Sequence, residues 1–480
     1  MQPTDEQLAI LSHVKTSSAN LLINALAGTG KTSTLRLIDD ALGGATPILY
    51  LAFNKRVVDE AQEADETGTA KFFETTVIRT LNSQGHRTWA NQIGPRLVLD
   101  NTKTLGLARS CFATLAKEDA KEAWESYQSI KSAVSLAKAV GYIPTSHSRC
   151  DKSLISREDF FLSVAQHEES LTPFCESLVD DILTASIKAA YAGSIDYNDQ
   201  VYMPALFGTS FPKFPIVMVD EAQDLSPVNH ALLHKLSKGR IIAVGDPWQS
   251  IYGFRGAKIG GMNDLASHFG MVPSDLSISF RCPERIVSVA RSHVPHLKWI
   301  KPGGRVARLL NPTLNGFLDG SVIICRNNAP LIRLAFRLLA AKRSVSLSGS
   351  EIGPKIAGIM RKLGDQSMSK VALKIKIEDW RDEKLAKESS TANDTAECML
   401  VFADYGETLG QSLAYIDHLF RQHGAITLTT GHKSKGLEWD VVYHLDSWLI
   451  GDSEQEKNLS YVITTRSKDT LYELNSKDIK

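Results

Sequence analysis

The sequence predicts an α/β protein made of two units, each a parallel sheet covered by helices on both faces. Three observations carry this. Short apolar runs recur at strand length: LLINAL at 21–26, PILYLAF at 47–53, FPIVMVDEAQ at 214–223 and GRIIAVGD at 239–246. The first ends in a Gly-rich turn and the last two stop at acidic residues. Stretches of helical spacing alternate with them. Runs of this kind mark strands buried on both faces of a parallel sheet. Ligands of such sheets bind beyond the carboxyl ends of the strands.

The elements follow in order. After 21–26 and its turn comes TSTLRLIDDAL, which reads as a helix, and then the strand at 47–53. Between 85 and 195 the composition shifts to Ala, Lys, Glu and Ser at helical spacing, a helical insertion inside the first unit. The first unit therefore comprises 1–84 and 196–276. The second comprises 277–347 and 421–480, with strand-like SVIICR (321–326), AITLTT (425–430) and VVYHLD (441–446). A polar, mixed-charge stretch at 348–420 reads as a smaller helical insertion. No short-period repeat or low-complexity tract interrupts the pattern.

Bulk properties narrow the class. At roughly 100–200 residues per domain, 480 residues suggest about three or four domains. Hydrophobic residues at 43% and charged residues at 22% give the balance of a soluble globular chain. Lys plus Arg equals Asp plus Glu, 54 each, so an anionic partner would need local clustering of charge. The six cysteines form no C-x-x-C pair, which weakens metal and disulfide readings. No signal-peptide pattern and no run of about 18 apolar residues occurs. A cytoplasmic protein of a reducing compartment with no membrane partner is expected.

Residues 25–32, Ala-Leu-Ala-Gly-Thr-Gly-Lys-Thr, lie between a strand and a helix. Gly28 and Gly30 let backbone N–H groups converge on phosphate oxygens, and the helix points its positive end at the anion. Lys31 supplies a point charge to the β- and γ-phosphates, and the Thr32 hydroxyl is a Mg²⁺ ligand. Ala27, Thr29 and Ser33 complete the candidate triphosphate contacts. Ala25 stands where the strict pattern has Gly; the competing reading is an ordinary Gly-rich turn. Asp220 and Glu221 follow the strand PIVMV. Asp220 is the second candidate Mg²⁺ ligand, and Glu221 the group that polarises the attacking water. The competing reading is a solvated acidic turn.

These motifs, with AFNKR at 52–56, DEAQD at 220–224, VGDPWQSIYGFRGA at 244–257, GHKSKGLEWD at 431–440 and YVITTRSK at 461–468, resemble superfamily 1 DNA helicases of the UvrD/Rep type. The resemblance extends from Gln7 to Lys468. It implies two RecA-like motor domains (1A and 2A), the insertions being 1B and a reduced 2B. It implies that Gln7 reads adenine, Phe280 stacks on it, Gln249 senses the γ-phosphate, and Arg281 and Arg466 touch that phosphate. Gly436 and Glu438 would lie near the ribose and phosphates. Phe53, Asn54, Tyr252, Phe254, Arg255 and His432 match positions that meet DNA.

Two departures stand out. Phe254 replaces the commoner Trp. In TVIRTLNSQGHR, Leu81 and Asn82 stand where the family usually has Phe-His. Leu81 cannot stack, and Asn82 can only hydrogen-bond. From Arg281 to Arg343 there are twelve Lys/Arg against two acids. A phosphate-tracking surface and a set of solvated helix faces explain this equally well.

The resemblance implies an ATP- and Mg²⁺-dependent, 3′→5′ monomeric motor on single-stranded DNA and single-strand/duplex junctions, nucleoid- or host-DNA-associated. A translocase that strips bound proteins or recombinase filaments fits the same motifs. A non-motor P-loop NTPase fits only the phosphate loop.

Overall fold

Strand alternation divides the core of the first unit into two halves. In the computed structural model this unit comprises Met1–Leu26 and Gly30–Leu276. Its strands are β1 (Leu21–Ala25), β2 (Ile48–Ala52), β3 (Thr76–Thr80), the short β4 (Val98–Leu99) and β5 (Ser194–Ile195), β6 (Phe214–Val219), β7 (Ser237–Gly245) and β8 (Val272–Leu276). Six of them form one sheet in the order β3-β2-β6-β7-β1-β8. Every pairing in it is parallel. The structure describes residues 2–52, 54–63, 71–94, 97–144, 153–167, 171–251, 253, 260–349, 351–386 and 391–480.

Successive residues of a strand point to opposite faces. Leu22, Leu49, Leu51, Val217, Val219, Ile241 and Ala243 thus join one apolar cluster. Their neighbours Ile23, Ile48, Tyr50, Met218, Ile242 and Val244 join another. The second face is covered by Ile10 and Val14 of helix Asp5–Thr16 and by Leu35 and Ile38 of helix Lys31–Leu42. Each such side chain, fully buried, stabilises the fold by about 1.5–3 kcal/mol.

The first face carries the helices of the 85–195 stretch, including Lys103–Phe112, Lys117–Glu125, Tyr127–Val140 and Pro173–Tyr191. A buried ionic network ties these helices to the turn before helix Asp199–Phe207. The Lys103 ammonium lies 2.6 Å from one Asp199 oxygen and donates to the Ser186 carbonyl at 2.8 Å. The Lys138 ammonium lies 2.7 Å from the other Asp199 oxygen and 2.6 Å from Asp196, and donates to the Ser186 hydroxyl at 2.9 Å. Two positive and two negative groups balance where water is excluded.

The second unit comprises Ala27–Thr29 and Ser277–Lys480. Its strands are β9 (Ile278–Ser279), β10 (Lys298–Trp299), β11 (Arg305–Arg308), β12 (Val322–Cys325), β13 (Val345–Leu347), β14 (Ile426–Thr430), β15 (Trp439–Leu445) and β16 (Ser467–Leu474). Six form a second all-parallel sheet, ordered β11-β16-β15-β12-β14-β13. Helices Ile352–Leu363, Lys370–Ala386, Ala392–Tyr405 and Leu409–Phe420 fall within 348–420 and share an apolar cluster with Ile323, Leu428 and Tyr443 of the sheet. The architecture is α/β, with two RecA-like parallel-sheet units. Among the described residues no helix is long and apolar enough to cross a membrane.

Removing one partner of a buried ion pair strands the other's charge, at about 3–5 kcal/mol. Lys138→Ala is therefore expected to lower the free energy of urea unfolding of the chain by an amount in that range. A loss below 1 kcal/mol would show that the network contributes little.

Candidate nucleotide site and nucleic-acid contacts

Because the first sheet is parallel throughout, every strand delivers its following loop to the same edge. The loops after β1, β6 and β7 carry most of the sequence-identified groups. Gly30 at φ 81° lies in the left-handed region that a side chain disfavours. The next residue, Lys31, opens the helix Lys31–Leu42. Its ammonium lies 3.8 Å from the Glu221 carboxylate. The Thr32 hydroxyl donates to Asp220 Oδ2 at 3.3 Å. Ser33 is exposed on the same first turn.

Asp220 is buried and receives two further hydrogen bonds. The Tyr50 hydroxyl donates to Oδ2 at 3.0 Å, and the Glu221 N–H to Oδ1 at 2.8 Å. Burial nevertheless pushes its carboxyl up to about 6, with the Glu221 charge adding to the effect and Lys31 opposing it. Burial first, and then the charge of Asp220, hold the Tyr50 hydroxyl well above its ordinary range. A buried carboxylate next to a hydroxyl and a second carboxylate is short of positive charge. This hard-oxygen set fits Mg²⁺, which takes one or two protein ligands and fills its shell with phosphate oxygens and water. Among the described residues no cluster of three or more His, Cys, Asp or Glu offers a protein-only metal site.

Glu221 has φ 51° and ψ 45°, a left-handed conformation costing a non-glycine residue on the order of 1–3 kcal/mol. Its carboxylate accepts from Gln223 Nε2 at 2.5 Å. Gln249 is buried and donates through Nε2 to Asp246 Oδ2 at 2.6 Å. Gln7 is buried too. It closes a capping box with Thr4, and its Nε2 donates to the Thr34 hydroxyl at 3.0 Å. The adenine-reading candidate thus braces helix Asp5–Thr16 against the phosphate-loop helix.

The remaining ATP-site candidates belong to the second unit. There the Ala27 N–H donates to the Tyr461 hydroxyl at 2.9 Å, and the Phe280 N–H to the Gly28 carbonyl at 2.8 Å. A Cβ on Gly28, φ 73°, would sit 2.5 Å from Arg281 Cβ, so the approach requires glycine. Thr29 is buried. Arg281 Nε donates to Glu438 at 2.5 Å. Gly436 has φ 81° with open space around it. Arg466 is buried, its Nε donating to the Val462 carbonyl at 2.9 Å and Nη1 to the Leu437 carbonyl at 3.1 Å.

Of the nucleic-acid candidates, Phe53, Tyr252, Phe254 and Arg255 lie outside the described residues. Asn54 caps the helix Lys55–Gln62, accepting from the Val57 N–H at 3.0 Å. Burial, with Arg326 adding, pushes the His432 imidazole down to about 4, so at neutral pH it offers a hydrogen bond rather than a charge. Leu81 is a core residue, and Asn82 donates to the Tyr197 carbonyl at 3.0 Å. Five of the twelve cations of 281–343 have acidic or aromatic partners. Arg281, Arg326 and Arg343 pair with Glu438, Glu456 and Asp319, while Arg291 and Arg305 lie over Trp299 and Tyr472.

Sequence reasoning missed Tyr50, Gln223, Asp246 and Tyr461. Tyr50 sits inside an apolar run whose pattern signals burial and nothing of where a hydroxyl points. Gln223 and Asp246 stood within quoted motifs, and their mutual contact is visible only in three dimensions.

A model of the UvrD/REP helicase N-terminal domain matches residues 4–270, more than half of the chain. The chain belongs to this family. Its UvrD/REP relatives include F-box DNA helicase protein 1 of Schizosaccharomyces pombe, 31% identical over 55% of this chain and 34% of that protein. F-box DNA helicase 1 of Gallus gallus is 24% identical over 98% of this chain and 48% of its own length. DNA helicase IV of Escherichia coli is 25% identical over 62% and 47% respectively. The chain thus spans between about a third and a half of these relatives.

The Asp220 carboxyl favours its neutral form in the fold, with a pKa near 6 against an ordinary 3.8. Its stabilising contribution is complete below the ordinary value and is lost as pH rises through 6. The shift corresponds to at most about 3 kcal/mol. In chelator, Asp220→Asn should raise unfolding stability by about 1–3 kcal/mol at pH 7.5 and change it little at pH 4. Equal effects at both pH values would refute the burial argument.

Proposed function

We propose that this chain is an ATP-dependent DNA helicase and translocase that moves 3′→5′ on single-stranded DNA and separates duplexes at single-strand/duplex junctions. The carrying observation is the convergence of Lys31, Thr32, Asp220 and Glu221 on one sheet edge in a member of the UvrD/REP family. Lys31 and the backbone of the loop bind the triphosphate. Thr32 and Asp220 would hold Mg²⁺, which supplies charge neutralisation at the β- and γ-phosphates. Glu221 orients and polarises the attacking water. Arg281, Gln249 and Arg466 are the proposed γ-phosphate ligands, and Arg281 would exchange Glu438 for phosphate. Arg466 must leave its carbonyl partners to do so. Gln7 and Phe280 are assigned to adenine, and Gly436 and Glu438 to the ribose and phosphates.

On the DNA side, Tyr252, Phe254 and Phe53 supply stacking faces, and Asn54, Arg255 and His432 backbone contacts, as single-strand tracks require. Residues 1–84 with 196–276 are assigned as motor domain 1A, and 277–347 with 421–480 as 2A. Residues 85–195 and 348–420 are assigned as 1B and a reduced 2B. The proposed working form is a monomer associated with cellular DNA.

Lys31→Ala should abolish DNA-stimulated ATP hydrolysis; retained turnover would remove the phosphate loop from the account. On tailed duplexes, strand displacement is expected from a 3′ tail and not a 5′ tail. Efficient removal of a bound protein or filament without displacement would shift the assignment to a stripping translocase.

A further inference from the structure

The loop after β6 and the loop after β7 are joined by a hydrogen-bond relay. It starts at Glu221, whose Oε2 accepts from Gln223 Nε2 at 2.5 Å. Gln223 Oε1 accepts from the Asp246 N–H at 2.9 Å. Asp246 in turn accepts from Gln249 Nε2 at 2.6 Å and from the Trp248 N–H at 3.1 Å. Gln223 is 1% exposed and Asp246 0%. The orientation of the Gln223 amide is fixed by chemistry. A backbone N–H can only donate, so Oε1 must face Asp246 and Nε2 must face Glu221. Space is reserved for it as well: a Cβ on Gly245, at the end of β7, would lie 2.5 Å from Gln223 Oε1 and 3.0 Å from the Gln223 N.

From this geometry we infer that Gln223 is a positioning residue that fixes the Glu221 carboxylate and couples it, through Asp246, to Gln249. The inference rests on the proposed motor reading and adds a route within it. The side-chain hydrogen bonds of Gln223 are to Glu221 and Asp246, so its proposed role is exerted through them. Gln223 holds the Glu221 carboxylate at 2.5 Å, against 3.8 Å for the Lys31 ammonium. A shift in the Gln249 loop moves Asp246 and, through the amide, Glu221. Such a relay acts on the rate of the chemical step and leaves ATP affinity nearly unchanged.

The test uses the full chain with Mg-ATP, with and without oligo(dT), and compares wild type, Lys31→Ala, Gln223→Met, Gln223→Glu, Gly245→Ala and the Gln223→Met/Gly245→Ala double variant. Gln223→Met is expected to lower DNA-stimulated kcat at least about tenfold, with KM for ATP within about twofold. Gln223→Glu keeps the acceptor for the Asp246 N–H but sets a carboxylate against Glu221, so it should fall below Gln223→Met. Gly245→Ala should lower kcat similarly, and the double variant should fall no further than the worse single, as expected of one coupled unit. If Gln223→Glu is milder than Gln223→Met, or the single losses multiply in the double, Gln223 only packs and the inference fails. Should Gln223→Met not fold cooperatively, Gln223→Glu and Gly245→Ala decide by the same rate and KM criteria. Wild type indistinguishable from Lys31→Ala would instead overturn the motor reading beneath it.

Discussion

Keeping the Asp220 carboxylate buried is the constraint on which the site depends. Its oxygens accept from Thr32, Tyr50 and the Glu221 backbone, drawing together groups from the first turn after β1, from β2 and from the loop after β6. Those bonds do not fully replace lost hydration, which is why the carboxyl remains displaced to about 6. An incompletely satisfied buried anion is poorly stable alone and well prepared for a cation. The parallel sheet makes the arrangement possible, since strands running one way place all of their following loops on one edge.

Much of this was legible in the sequence. The apolar runs read at 21–26, 47–53, 214–223 and 239–246 each contain a central strand, because a run of strand length bounded by turn signals has few alternatives in a chain rich in helical patterns. Lys31, Thr32, Asp220 and Glu221 could be singled out because phosphate and metal chemistry constrains residue type and spacing tightly, and the fold brings them together. What could not be read were contacts between distant segments. Leu81 illustrates the limit. The sequence showed only that it cannot stack, and the structure gives the reason for an apolar residue there: it packs in the same cluster as Trp89 and Leu51. Gln7 is similar, since its burial follows from Thr34 lying beneath it and not from anything local to TDEQ.

Two buried polar networks in the first unit solve different problems. The four charges of Lys103, Lys138, Asp196 and Asp199 neutralise one another completely within a helical layer, and every ammonium also finds a Ser186 oxygen. Such closure suits a joint that must keep one geometry. The relay of Glu221, Gln223, Asp246 and Gln249 is unbalanced, with two carboxylates and no cation among its members, and burial raises the Asp246 carboxyl above its ordinary value. A network of that composition draws on charge from outside it, and the Lys31 ammonium lies 3.8 Å from Glu221.

This contrast explains a feature of the motifs that spacing alone leaves arbitrary. DEAQD and VGDPWQ are separated by a helix and a strand, yet Gly245 must lack a side chain because Gln223 occupies its Cβ space. The two motifs are therefore one physical object whose halves are brought into register by the β6–β7 pairing, with Val219 opposite Ala243. On the relay inferred above, a change at either end would alter the other without touching it. Coupling of that kind needs a rigid sheet to carry register and an oriented amide to carry direction, and the first unit supplies both within four residues of each strand end.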